Sequence, residues 1–144
     1  MQFDKQRIIL DTNVIVSALI SNSAPTDVLY DIVLKNKVNL CLSAEVYDEY
    51  VSVLNRDKFS RFKNFKENAV IVLKEFDSIG QYYKTSQAVD LISDESDNRF
   101  LELALESSAN YIITGNTQDF DFGTFQGTKI VTPRQYWEIH IAQS

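Results

Sequence analysis

The stretch RIILDTN, residues 7–13, carries a short apolar run that leads directly into an acid and two further polar side chains. An apolar run of this length without alternation is typical of a β-strand covered on both faces. Similar runs lie at residues 38–42, 110–114 and 128–132. The chain therefore has four candidate strands, and the first ends at an acidic residue.

Stripes of apolar side chains at helical spacing lie between these candidate strands. A last helix is indicated by Thr132 as N-cap and Pro133 at the first helical position. Strands that alternate with helices predict an α/β domain with a central, mostly parallel sheet flanked by helices. In such sheets, ligands bind beyond the carboxyl ends of the strands. The stripes fall within residues 28–33, 46–54, 62–76 and 100–105.

Length and composition describe one domain with its own core. The chain has 144 residues, of which 44% are hydrophobic and 12% aromatic, and this excludes a disordered protein. The net charge of −6 argues at first against nucleic acid as a partner. A lone cysteine, Cys41, favours a reducing compartment, so we expect a cytoplasmic protein. The longest uncharged stretch, residues 12–26, is too short and too polar to span a bilayer, and we expect no membrane association.

Several acids could carry chemistry together. Carboxylates that share one crevice repel each other and lose hydration, so they need a compensating cation, and hard ions such as Mg²⁺ or Mn²⁺ prefer oxygen ligands. Two such ions can activate water and stabilise both the attacking and the leaving oxygen of a phosphodiester. The candidates are Asp11, Glu49, Asp94, Asp97 and Asp119.

All of these acids except Asp11 also have a plain structural interpretation. Asp11 follows a buried strand, where an unpaired acid is costly. Asp94 fits a helix N-cap with Asp97 at the third helical position. Glu49 fits a solvated helix face, and Asp119 fits a loop. Taken singly, only Asp11 demands a functional explanation.

Four segments in order and spacing resemble the PIN-domain ribonucleases, most closely the PIN toxins of bacterial toxin–antitoxin pairs. The resemblance extends from about Arg7 to Tyr136 and implies a three-layer α/β fold, with residues 1–144 forming a single PIN-like domain. The segments are DTNVIVSA (11–18), EY (49–50) with VL (53–54), DESDNRFL (94–101) and YIITGN (111–116).

The resemblance implies a carboxylate metal site, and the chain departs from the family at its fourth motif. Many relatives have Thr-Gly-Asp there, whereas this chain has the uncharged Asn116, with Asp119 three residues later as the candidate fourth acid. The number of ions, one or two, therefore stays open. The implied catalytic residues are Asp11, Glu49, Asp97 and Asp119; the implied metal ligands are Asp11, Glu49, Asp94, Asp97 and Asn116; the polar supports are Thr12, Asn13, Ser17 and Thr114.

A basic stretch at residues 56–66 is the candidate RNA contact. It holds five basic side chains against one acid, Asp57, and interleaves them with aromatic residues that suit base stacking. Phe62 and Phe65 also continue the helical stripe, which favours the core for both rings. A protein partner could use the same surface. The basic residues are Arg56, Lys58, Arg61, Lys63 and Lys66.

The resemblance implies a Mg²⁺- or Mn²⁺-dependent endoribonuclease that acts as a toxin, with RNA as substrate, a small antitoxin as partner and a homodimer as assembly. The alternative is a non-catalytic PIN-like module that binds metal or protein partners. A phospho-acceptor receiver domain ranks third, because no lysine follows the strand that ends at Thr114. Without the five candidate acids the net charge is −1, so the acidity is concentrated in the expected metal pocket.

Overall fold

A computed structural model describes residues 5–91, 95–116 and 123–143 of the chain, with the side chains of residues 95 and 96 excepted. Its elements are β1 (Arg7–Leu10), α1 (Thr12–Ile20), α2 (Ala24–Asp27), a π-helical turn (Val28–Val33), β2 (Asn39–Leu42), α3 (Ala44–Leu54), a 3-10 turn (Asp57–Phe59), α4 (Phe65–Ile79), β3 (Gln81–Tyr82), α5 (Glu95–Ser107), β4 (Tyr111–Ile113), β5 (Thr124–Phe125), β6 (Thr128–Val131) and α6 (Pro133–Gln143).

The strands form one six-stranded sheet in the order β3-β2-β1-β4-β6-β5. Every neighbouring pair is parallel except β5 with β6, which is antiparallel at the edge. Ile8 on β1 pairs with Leu40 on β2 and with Tyr111 on β4, so β1 is covered on both sides. The residue that follows β1 therefore lies in the middle of the carboxyl edge of the sheet.

Helices flank the sheet and confirm the predicted α/β architecture. Helix α3 contacts both α4 and α5; α4 packs on β2, and α5 packs on β1 and β2. Helix α6 contacts α2 and the π-helical turn, while α1 touches α2, α3 and α4. The core includes Ile8, Ile9 and Leu10, which have no exposed surface, and the buried free thiol of Cys41. This is the arrangement expected of a PIN-like fold.

The four predicted strands are present, shorter by one residue at one or both ends. Strands β3 and β5 were not predicted, since two residues leave no periodic pattern. The stripe predicted from Phe62 begins as a helix only at Phe65, because Asn64 adopts a left-handed conformation with φ of 62°. Residues 28–33, predicted as helical, form a π-helical turn.

The predicted start of α6 is observed with a reciprocal cap. The Gln135 amide donates to Thr132 Oγ1 at 3.1 Å, and the Thr132 amide donates to Gln135 Oε1 at 2.8 Å. Pro133 is the first helical residue, where its missing amide hydrogen costs nothing. Among the helices in the described ranges, none has both the length and the apolar character needed to cross a bilayer.

Candidate active site

The carboxylate of Asp11 is buried at the carboxyl edge of the sheet. Asp11 precedes α1, is 5% exposed, and its backbone amide donates to the carbonyl of Ile113 on β4 at 2.9 Å. Its side chain does not cap α1; instead, Oδ2 accepts a hydrogen bond of 2.6 Å from the hydroxyl of Thr114. The first and fourth strand ends thus hold this carboxylate in one orientation.

Thr114 connects the fourth strand end to the same site. Its hydroxyl is fully buried, donates to Asp11 and accepts from the amide of Asn116 at 3.0 Å. The amide of Gly115 donates to Asn13 Oδ1 at 3.3 Å. The segment that carries Asn116 is therefore fixed against the start of α1, which brings this amide side chain near Asp11.

Helix α3 presents Glu49 from a second direction. The helix begins after Ser43, whose hydroxyl accepts from the amide of Val46 at 3.1 Å. Tyr50 is fully buried, and its hydroxyl donates to the carbonyl of Leu10 at 2.5 Å. Burial, and next the nearby charge of Asp11, raise the pKa of Tyr50 well above its usual range, so it stays a donor.

Glu49 is not the solvated helix residue that the structural interpretation expected. Its side chain is 16% exposed, and its Oε2 lies 3.6 Å from Nη1 of Arg99 on α5. Asp97, the third residue of α5, is half-buried. Asp94 and Asp119 lie outside the described residues, so both their functional and their capping interpretations stay predictions.

The side chains of Asp11, Glu49, Asp97 and Asn116 line one pocket of about 330 Å³. The pocket brings together residues that are widely separated in the sequence, because parallel strands and their flanking helices end at the same edge. The predicted support Ser17 lies one turn along α1 from Asn13, away from the pocket wall. The wall consists of Asp11, Thr12, Asn13, Val16, Glu49, Val53, Arg56, Lys58, Phe59, Asp97, Phe100 and Asn116.

Two of the five predicted basic residues, Arg56 and Lys58, line this pocket. Lys58 lies over the ring of Phe59 at 5.2 Å, and the guanidinium of Arg61 lies over the ring of Phe62 at 4.8 Å. Lys66, on α4, is turned toward the end of α3, where it donates to the carbonyl of Asn55 at 3.2 Å. Lys63 is exposed and is not among the described residues that line the pocket.

The aromatic rings of this stretch belong mainly to the core. Phe65 is fully buried and stacks on Phe59 with ring centroids 4.9 Å apart, while Phe62 is half-buried. The predicted core role of Phe65 is therefore observed. Stacking of a base on Phe65 would require this ring to leave the core.

The chemistry of the wall suits a hard divalent cation. Three carboxylates and the Asn116 amide supply oxygen donors, and Oγ1 of Thr12 is buried without a hydrogen-bond partner in the described part of the chain. Within residues 5–91, 95–116 and 123–143, no three His, Cys, Asp or Glu side chains form a metal-binding group. Mg²⁺ commonly binds through one or two carboxylates and keeps several waters, so the donors present fit such an ion.

Sequence reasoning missed Arg99 and Phe59 as neighbours of the site. Arg99 lies within the third resembling segment, two residues after Asp97, but nothing local indicates that its side chain reaches α3. Phe59 lies in the basic stretch, where its position after Lys58 was the only available signal.

Comparison with known proteins identifies the fold independently. The family model of the PIN domain matches residues 7–118. An uncharacterized protein of Methanocaldococcus jannaschii is 27% identical over 116 residues, which cover 81% of this chain and 74% of that protein. A chain in the crystal structure of VapBC2 from Rickettsia felis, bound to a DNA fragment from their promoter, superposes with a TM-score of 0.54 at 17% identity, covering 87% of this chain and 97% of that one. With its family match spanning most of the sequence and its strands and helices in the corresponding arrangement, this chain belongs to the PIN domain family.

Proposed function

We propose that this PIN domain is an endoribonuclease that hydrolyses RNA phosphodiester bonds with Mg²⁺ or Mn²⁺. PIN domains are generally nucleases that use divalent metal ions, and this supports the reaction class. The observation that carries the proposal is one pocket whose wall includes the acids Asp11, Glu49 and Asp97 and also the basic residues Arg56 and Lys58. Acids that can hold a cation thus lie beside bases that can hold a phosphate backbone.

In this proposal the acids and the basic side chains of the pocket have different tasks. Asp11, oriented by Thr114, and Asp97 on α5 would hold the cation and, beside it, the attacking water. Arg56 and Lys58 bind the phosphates on either side of the scissile bond and offset the acids that would otherwise repel RNA. When bound, the ion supplies Lewis-acid stabilisation of the charge that develops on the phosphoryl oxygens.

Cleavage of RNA by the purified protein, with and without chelator, tests the proposal. We expect Mn²⁺- or Mg²⁺-dependent cleavage that Asp11→Asn and Asp97→Asn each reduce by at least about 100-fold, since each removes a carboxylate from the pocket. Asp31→Asn is the matched control, because Asp31, in the π-helical turn, forms an exposed ion pair with Lys35. Activity that survives chelation or both substitutions would refute a metal-dependent nuclease. Metal binding without cleavage would favour the non-catalytic module.

RNA affinity tests the basic side of the pocket separately. Arg56→Gln or Lys58→Gln should weaken binding of single-stranded RNA and reduce the dependence of log K on log salt by about 0.7 per residue. Lys35→Gln serves as the control, since Lys35 is exposed and paired with Asp31. An unchanged salt dependence in both variants would show that RNA is bound elsewhere.

We also propose that the protein is the toxin of a toxin–antitoxin pair in the cytoplasm and that it forms a homodimer. The structural likeness to a VapBC2 chain supports this, together with the resemblance of the motifs. Expression alone should stop bacterial growth, and co-expression of a small reading frame next to the gene should restore it. Light scattering of the purified protein measures the assembly; a monomer at micromolar concentration would refute the dimer.

A further inference from the structure

The connection between α3 and α4, residues 55–64, consists of tight turns that are fixed to the core. The amide of Phe59 donates to the carbonyl of Arg56, and the amide of Phe62 donates to the carbonyl of Phe59, each at 3.1 Å. The ring of Phe59 is 9% exposed and stacks on the fully buried Phe65 with centroids 4.9 Å apart. The side chains of this connection are therefore presented from a firm base.

Most basic side chains of the connection have no acidic partner among the described residues. Its one acid, Asp57, pairs with Lys66 on α4 at 3.8 Å. The other basic side chains are exposed and form no ion pair within the described part of the chain. They are Arg56, Lys58, Arg61 and Lys63. Because two of them also line the acidic pocket, the connection is a basic surface continuous with that pocket, and its cations are available to phosphates.

Arg61 is held over an aromatic ring on this surface. Its guanidinium carbon lies 4.8 Å from the ring centroid of Phe62, which is half-buried and packs against the core. The ring restricts the guanidinium, so binding a ligand costs less side-chain entropy. Arg61 follows the pocket-wall residue Phe59 by two positions, and their Cα atoms are therefore at most about 7 Å apart. A planar guanidinium at this place can stack against a nucleobase.

We propose that Arg61, supported by Phe62, is a stacking site for an unpaired nucleobase next to the cleaved bond, so that this PIN domain takes single-stranded RNA or unpaired loops as its substrate class. Arg56 and Lys58 bind the backbone while Arg61 binds the base. A base within a duplex stays stacked between its neighbours and cannot reach the guanidinium. This inference rests on the proposed function for the kind of substrate, but it concerns how RNA is bound and not how it is cleaved.

Binding of three nucleic acids in the presence of chelator tests the inference without cleavage. Fluorescence anisotropy compares a labelled oligoadenylate, an abasic strand with the same number of phosphates, and a fully paired RNA duplex. The wild type should bind oligoadenylate at least about fivefold more tightly than the abasic strand. Arg61→Lys keeps the charge but loses the planar guanidinium. It should therefore lose most of this preference and leave the affinities for the abasic strand and the duplex unchanged.

Two further variants separate stacking from charge. Arg134→Lys is the matched control, because Arg134 is exposed on α6 and pairs with Glu138 at 3.5 Å; it should keep the preference of the wild type. Arg61→Gln removes a charge and should weaken binding of all three nucleic acids in addition to losing the preference.

Equal affinity of the wild type for base-bearing and abasic strands, or a preference that survives in Arg61→Lys, would overturn the stacking site. Binding of none of the three nucleic acids would also overturn it and would favour a protein partner for these cations. Metal-dependent cleavage is measured separately, and cleavage that persists in either case leaves the proposed nuclease standing. Loss of cleavage in the wild type itself would instead refute the nuclease.

Discussion

Replacing Thr114 by valine tests whether its hydroxyl supports the candidate active site in addition to stabilising the fold. Valine has nearly the shape of threonine, so it opens no cavity, but it removes the hydroxyl that donates to Asp11 Oδ2 at 2.6 Å and accepts from the Asn116 amide at 3.0 Å. A hydrogen bond to a charged group contributes about 1.5–3 kcal/mol. Loss of the bond to Asn116 adds about 1 kcal/mol. We therefore expect Thr114→Val to lower the free energy of unfolding by about 2.5–4 kcal/mol.

Thr128→Val is the matched control for this substitution. Thr128 is 1% exposed, and its hydroxyl donates to the carbonyl of Ala109 at 2.7 Å, a neutral bond next to β6 and outside the pocket wall. Its loss should cost about 0.5–1.5 kcal/mol. Urea unfolding of both variants without metal measures the two values on one scale.

The functional consequence distinguishes the two threonines more sharply. Supporting hydrogen bonds to metal-ligating groups are typically worth 10–100-fold in metal affinity or activity, so Thr114→Val should weaken Mn²⁺ binding by about that factor. Thr128→Val should leave Mn²⁺ affinity within about twofold, because Thr128 is not among the described residues that line the pocket. Equal destabilisation by the two variants, together with equal Mn²⁺ affinity, would refute the argument that Thr114 orients Asp11.

Three further substitutions probe the site and its framework. Tyr50→Phe removes the 2.5 Å bond to the carbonyl of Leu10 and should cost about 1–3 kcal/mol in urea unfolding while reducing RNA cleavage. Tyr136→Phe, which loses a 2.8 Å bond to Gln6 at a distance from the pocket, should leave cleavage unchanged; equal losses of activity would contradict a positioning role for Tyr50. Asn116→Asp adds a carboxylate to those of the described pocket wall and should tighten binding of a second Mn²⁺. Calorimetry that gives the same stoichiometry and affinity as the wild type would disprove this. Gly80→Ala would place a Cβ against Leu42 and within 2.6 Å of the Phe76 carbonyl oxygen. This clash should lower the free energy of unfolding by about 1–3 kcal/mol at the junction of α4 with the sheet. An unchanged urea midpoint would show that the backbone shifts to accommodate the methyl group.

The elements that the sequence predicted correctly are those specified by neighbouring residues. The apolar run before Asp11 predicted β1, and Thr132 with Pro133 predicted the start of α6, because capping and strand burial depend on short-range patterns. The first residue of α4 was predicted three residues too early. Helical periodicity continued through Phe62, but the left-handed Asn64 interrupts the backbone there.

The sequence predicted which acids form the candidate site, but not which contacts those acids make. A carboxylate after a buried strand, with others in the order of a known family, indicated which residue types would meet. Which partners they take depends on contacts between distant segments. Thr114 and Asp11 are 103 positions apart in the chain, and Arg99 and Glu49 come from different helices. No local pattern encodes such distances.

By itself, the sequence determined the α/β class, the main strands and the acids that could bind a cation, because burial and periodicity act over a few residues. Only the tertiary structure decided that Arg56 and Lys58 line the same pocket as those acids, while Lys66 on α4 binds the carbonyl of Asn55. It also decided that Glu49 on α3 pairs with Arg99 on α5. Both arrangements follow from the parallel sheet, because it brings distant strand ends and helices to one edge. The charged side chains that meet at this edge set the electrostatic environment that a metal ion and an RNA strand would encounter.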